Sequence, residues 1–193
     1  MQTLCYRRVL KKLRQVLKNL VNDIWYEDEC HFQQHGTCCR MWIPPEEKDP
    51  IVKHAPTRKS MALFGAVSAN TGEIVTMDAS IFNAETFLLF LNKLMKSKKR
   101  GKKIILILDN ARYHHATLIQ PWLNKNKNKI QLFFLPPYSP DLNNIERVWK
   151  MTRRVCTHNR YFATIDELLS IVKKQMKVWS GPNETLRKLC CIT

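Results

Sequence analysis

The stretch Lys103-Ile104-Ile105-Leu106-Ile107-Leu108-Asp109-Asn110-Ala111-Arg112-Tyr113-His114-His115 joins an unbroken aliphatic run to a carboxylate. Large apolar side chains in a row, without alternation, are the pattern of a strand covered on both faces. A buried helix needs a longer run, and this one is bounded by Gly101 and by Asp109-Asn110. The stretch therefore predicts a central strand with Asp109 at its carboxyl end, where open α/β sheets place their chemistry. Asp-Asn also starts turns well. On these residues alone, a functional Asp109 and a simple turn stand level.

Working outward toward the C-terminus, a helix is predicted from about His115 to Asn126, with Leu118, Ile119, Trp122 and Leu123 facing inward. Ile130 to Leu135 reads as another buried strand. A proline-rich loop from Pro136 then leads into a helix, and a last helix from Thr164 to Trp179 carries the stripe Ile165, Leu168, Leu169, Val172 and Met176. Toward the N-terminus, Asn83 is placed to cap a helix ending near Met95. Ser60–Ala69 and Glu73–Ala79 form a hairpin through Thr71-Gly72. Cys39 to Ile43, ending at Pro44-Pro45, reads as a further strand, and Asp23 to Phe32 as the first. Residues 1–22 form a basic lead-in, helical from Leu4 to Val21, with Leu10, Leu13, Leu17 and Leu20 at helical spacing.

The bulk charge is the strongest compositional signal. Thirty-two Lys and Arg against 16 Asp and Glu leave a net +16, which points to a polyanionic partner: nucleic acid first, an anionic membrane surface second. No apolar run is long enough to cross a bilayer and no signal-peptide core precedes the first strand, so an intracellular, cytoplasmic protein is expected. Seven cysteines, an odd number, suit reduced thiols better than a disulfide framework. Cys30, His31, His35, Cys38 and Cys39 cluster in sequence. Paired C-x-x-C spacing is missing, though, and Cys30 falls within a predicted strand, so the spacing argues against structural zinc.

Three adjacent acids, Glu27, Asp28 and Glu29, interrupt the first predicted strand. Strand alternation puts Asp28 on one face with Tyr26 and Cys30, and Glu27 and Glu29 on the other. A carboxylate with apolar neighbours on its own face is costly unless it is paired or holds a cation. Asp28, Asp109 and Glu146, the last on the helix after the proline-rich loop, are the acids to watch. Asn143-x-x-Glu146 is also a capping pattern, which offers Glu146 a purely structural role.

The element order, antiparallel strands first and crossovers later, is that of the ribonuclease-H-like α/β fold: a mixed five-stranded sheet with flanking helices. Three blocks carry a family resemblance: Asp28-Glu29-x-x-Phe32, Asp109-Asn110-Ala111-x-x-His114, and Pro136-Pro137-Tyr138-Ser139-Pro140-Asp141-Leu142-Asn143-x-Ile145-Glu146-x-x-Trp149. Together they resemble the signature of mariner-like DDE transposases in their bacterial insertion-sequence branch. The third block is long and specific, and Asn144 stands where the family usually has proline.

The resemblance implies that residues 23–193 form the catalytic domain and that Asp28, Asp109 and Glu146 are both the catalytic triad and the ligands of two Mg²⁺ or Mn²⁺ ions. Asp28 would be shared and Asn110 and His114 would assist. Such chemistry, phosphodiester hydrolysis and strand transfer without a covalent enzyme intermediate, uses two cations about 3.5–4 Å apart. It also implies double-stranded DNA as substrate, a homodimer assembled on DNA, and a nucleoid-associated location. The basic segment Lys98-Lys99-Arg100 and the helix residues Arg147, Lys150, Arg153 and Arg154 are expected at phosphates. The roughly twenty residues before the first strand leave no room for the family's helix-turn-helix modules, so the expectation is a catalytic domain alone. Two readings compete: a transposase relic that binds DNA or a sister transposase without cutting, and a nuclease or resolvase on the same fold.

Overall fold

The computed structural model describes residues 9, 11–16, 22–46, 51, 53–97, 99 and 101–190. Five strands, β1 (Asp23–Gln33), β2 (Ser60–Ser68), β3 (Ile74–Ala79), β4 (Ile104–Leu108) and β5 (Ile130–Phe134), form one mixed sheet in the order β3-β2-β1-β4-β5. β1, β2 and β3 pair antiparallel, whereas β1–β4 and β4–β5 pair parallel. The parallel half needs crossovers, and the helices that supply them cover both faces.

All five residues of β4 are buried, as the aliphatic run requires. In β1 the alternation divides the side chains between two cores. Ile24, Tyr26, Cys30 and Phe32 pack on one face with α4 (Ile145–Cys156), α5 (Ile165–Val178) and α6 (Glu184–Cys190). Trp25 packs on the other with α2 (Ala84–Leu94) and the approach to α3 (Gln120–Asn126). Local chemistry sets the helix starts. The Asn83 side chain accepts from the Thr86 amide at 2.9 Å while the Thr86 hydroxyl accepts from the Asn83 amide at 3.1 Å, a reciprocal cap. Thr164 caps α5 through the Glu167 amide. Of the lead-in, residues 11–16 (α1) are helical, and Leu13 reaches the first core; Leu10, Leu17 and Leu20 lie outside the described residues.

Three elements differ from the sequence reading. Cys39 to Ile43 is not a strand: both edges of β1 are already taken, by β2 and β4, so this β-rich segment has no free edge to join there. It runs exposed instead, with Trp42 fully open to solvent. The predicted helix from His115 breaks into 3₁₀ turns at Arg112–His115 and Thr117–Ile119 before α3 begins. Pro121 lies in the first turn of α3, the one place a residue without an amide hydrogen fits a helix. Leu118 consequently points outward while Ile119 is buried. The third difference is α6, too short to show a helical period, whose start sits over the β2–β3 turn. Gly72 there has φ +69°, and a Cβ on it would lie 1.9 Å from the Asn183 carbonyl oxygen. Among the described residues, no helix is long and apolar enough to cross a membrane.

Candidate active site

Asp28 lies on β1 opposite Gly65 of β2, Asp109 follows the last residue of β4, and Glu146 is in the first turn of α4. These acids, from three distant segments, line one cleft of about 370 Å³, walled by Asn110 and the loop Leu135–Pro140. The Asn110 side-chain amide donates to the Leu135 carbonyl, tying the loop after β4 to the proline-rich loop after β5. Trp149, almost fully buried, donates its indole N–H to Asp28 Oδ2 at 3.2 Å. It can approach only because Gly65 has no side chain: a Cβ there would lie 2.3 Å from the Trp149 ring.

The capping alternative for Glu146 does not form. Asn143 turns its amide to the Glu27 carbonyl at 2.7 Å, and α4 has no side-chain cap. Asn144, where proline would otherwise stand, donates to the Cys190 carbonyl at 2.9 Å and so ties α4 to α6.

Behind the cleft lies a second, buried set of charges. His114 sits with Nδ1 3.2 Å from Asp109 Oδ1 and Nε2 3.3 Å from Glu29 and 3.8 Å from Glu27. Burial alone would lower the imidazole, but its contacts with Asp109 and Glu29 and the Glu27 charge push it up to about 10. Asp109 is in turn held below the usual carboxylate range, first by His114 and also by the Ala111 amide at 2.8 Å. Burial raises Glu27 well above its ordinary value, with Glu29 adding to the effect. Glu27, Glu29 and His114 bring ligand-type atoms within 4.8 Å of one another. A protonated imidazole has no lone pair to give, so this set reads as an ion-pair cluster rather than a metal centre.

Asp28 has the opposite environment. Burial, then the charges of Glu29, Glu146 and Asp109, push its carboxyl up to about 8. Crowding of this kind is relieved either by a proton or by a cation, and an oxygen-only set of carboxylates at an open cleft suits a hard divalent ion such as Mg²⁺. Linkage gives the crowding a measurable consequence. Between pH about 4 and about 8 the unfolded chain releases a proton that folded Asp28 retains, so metal-free stability falls as pH rises. His114 adds the same sign, its stabilisation being complete below about 6.5 and lost as pH approaches about 10. In EDTA, the melting temperature is therefore expected to fall from pH 6.5 to 8, and Asp28→Asn to shrink that fall. A flat profile for the parent chain would show that Asp28 is already ionised.

The basic residues divide. Arg147, Lys150 and Arg154 are exposed and share one face of α4; Arg147 also reaches the Leu189 carbonyl at 3.2 Å. Arg153 turns inward, 3.1 Å from Cys30 Sγ and over the Phe32 ring, and does not join that face. Lys99 is half-buried and its charge acts on Glu73; Lys98 and Arg100 lie outside the described residues. The sequence reading foresaw the two faces of β1 but missed the His114 ion-pair cluster. Its signal was an acidic triplet inside a strand otherwise rich in buried residues.

Residues 23–169, a span containing all three cleft acids, match the model of the DDE superfamily endonuclease family. The chain belongs to that family. This DDE endonuclease chain is 27% identical over 157 residues to the insertion element IS630 uncharacterized 39 kDa protein of Shigella sonnei, covering 81% of the present chain and 45% of that protein. Among solved structures it is similar to the catalytic domain of Mos1 mariner transposase, with a TM-score of 0.64, 15% identity, and coverage of 98% of this chain and 86% of that one. A Mos1 mariner paired-end complex with Mn gives a TM-score of 0.70 at 14% identity, covering 96% of this chain and 57% of that one. The likeness to Mos1 mariner transposase bears out the ribonuclease-H-like fold, and the family match together with the IS630 relative bears out the resemblance to DDE proteins of insertion elements. The DDE endonuclease chain spans about half the length of the IS630 protein.

Proposed function

We propose that this chain is a DNA transposase catalytic domain that hydrolyses and transfers phosphodiester strands. The supporting observation is the convergence of Asp28, Asp109 and Glu146 on one cleft in a chain of the DDE endonuclease family. Asp28, Asp109 and Glu146 would hold Mg²⁺ or Mn²⁺, two ions in the full site. Bound there, the ions supply activation of the attacking oxygen and stabilisation of the leaving one.

The remaining work falls to the chain itself. Trp149 fixes the orientation of Asp28, and His114 with the Ala111 amide keeps Asp109 ionised and aimed at the cleft. Asn110 and the proline-rich loop wall the cleft on one side. Arg147, Lys150 and Arg154 present positive charge from the helix that carries Glu146, where a DNA backbone entering the cleft would run. Duplex DNA as substrate, a homodimer on DNA and a nucleoid location complete the proposal.

Two measurements test it. The purified chain is expected to nick supercoiled plasmid in Mg²⁺ or Mn²⁺ and not in EDTA; no metal-dependent nicking under any condition would leave the relic reading in its place. Affinity for duplex DNA should fall steeply with salt, and Arg147→Ala, Lys150→Ala and Arg154→Ala together should make the log–log slope shallower by about 3, one phosphate contact each. An unchanged slope would remove this face from the DNA path.

A further inference from the structure

Away from the acid cleft, one edge of the sheet is left open. β3 is a terminal strand, paired with β2 on one side only. The Ile74 amide donates to the Trp179 carbonyl at 3.1 Å, so Ile74 turns its backbone groups outward. Alternation along an antiparallel strand then points those of Thr76 and Asp78 outward as well, while Val75 and Met77 bond to β2. Beyond the Ile74 amide, no backbone partner meets this edge among the described residues.

A groove of about 680 Å³ runs along this edge between two helices. Its floor is apolar: Ile74 and Met176 are buried, and Met77 packs against the core under α2. Its walls are basic. Lys93, in the last turn of α2, and Lys96, just after it, stand on one side, with Lys173 and Lys177 of α5 on the other. All four are exposed. The acids nearby are already engaged: Asp78 pairs with Lys173, and Glu73 is bonded to Ser97 and lies under the charge of Lys99. Lys93, Lys96 and Lys177 form no ion pair among the described residues.

We propose that this groove docks an acidic, extended segment of a partner protein, which adds to the sheet beside β3. Main-chain bonds to Thr76 and Asp78 would set its register, and its successive side chains would alternate between the two basic walls. Lysines along an edge commonly keep strands from pairing. Here they sort partners by charge. A second copy of this chain, at net +16, brings the same positive edge and is repelled. A DNA backbone would meet the lysines, but phosphate oxygens only accept, so the outward carbonyls of Thr76 and Asp78 would go unpaired. The apolar floor would also stay uncovered. An acidic strand satisfies all three features: carboxylates for the lysines, amides and carbonyls for the open edge, and side chains for the floor.

Fluorescence anisotropy on the full chain tests this. The probe is a labelled peptide of about six residues, a typical strand length, made of threonine and paired glutamates so that acids face both walls. It is expected to bind, and Lys93→Glu with Lys177→Glu should weaken it at least about tenfold, since both contacts turn from attraction to repulsion. N-methylation of every peptide amide, which keeps the charges but removes the donors, should weaken it as much. Thr76→Pro, which deletes one outward N–H and no bond to β2, should do the same; the lysine reversals, at exposed positions, cover the case that proline unfolds the strand. Arg147→Ala, Lys150→Ala and Arg154→Ala together should leave peptide affinity unchanged. On binding, the Thr76 and Asp78 amides should exchange with solvent more slowly. Equal affinity for the N-methylated peptide, or undiminished affinity in the Lys93→Glu, Lys177→Glu chain, would overturn the proposal. A duplex that loses affinity in that variant, with no peptide bound by the parent chain, would assign the groove to phosphates instead.

Discussion

Asp109→Asn is expected to abolish metal-dependent nicking, lowering the initial rate by at least about a thousandfold. Asparagine keeps the size of the side chain but removes the charge that attracts a hard cation. Metal stabilisation of the developing charge is worth several kcal/mol, and each 1.36 kcal/mol is about tenfold in rate. The fold should survive. His114 loses one partner at 3.2 Å but keeps Glu29 and Glu27, and the Asp109 side chain is more than half exposed, so no buried charge is stranded there. Duplex affinity should hold or rise slightly, because one carboxylate near the phosphates has been neutralised. Parallel nicking and anisotropy measurements separate the two effects. A rate within tenfold of the parent would remove Asp109 from the chemistry.

The second large effect is on stability. Trp149→Ala is expected to cost about 3–5 kcal/mol, as large aromatic deletions in a core do. The ring is almost fully buried, lies edge-on to Phe32 at 6.2 Å and fills the space above Gly65. Its loss also strips Asp28 of its indole donor. Gly65→Ala alone should destabilise as well, since its Cβ would meet the Trp149 ring at 2.3 Å. In the Trp149→Ala background the same Gly65→Ala should be nearly neutral, because the clash has gone. Urea unfolding of the four proteins gives the coupling. Additive costs would mean that Gly65 and Trp149 do not meet. Trp149→Phe adds a control, retaining most of the packing while removing the hydrogen bond to Asp28.

Much of this arrangement is legible in the residues. β4 reads cleanly because a strand covered on both faces leaves no alternation to misinterpret. Asn83 and Thr164 announce their helices because capping is a local, short-range bond. Asp28 could be assigned a face by parity alone. What could not be read depends on which partners are available in space. Cys39–Ile43 has strand-forming side chains, but β1 has no edge to offer them. The helix expected from His115 yields to the placement of Pro121, and α6 is too short to show a period. The His114 cluster joins a strand to a turn, a relation that does not follow from spacing. Arg153 shows the same limit on one helix, where sequence grouped it with Arg154 while packing turned it toward Cys30 and Phe32.

The most direct test is to locate the cation itself. Crystals of the chain soaked in Mn²⁺ should show anomalous density between the carboxylates of Asp28, Asp109 and Glu146, and Asp109→Asn should weaken or remove it. Density at Glu27, Glu29 and His114 instead, or none at the cleft at a Mn²⁺ concentration that supports nicking, would contradict the assignment of the three acids as the metal-binding catalytic set.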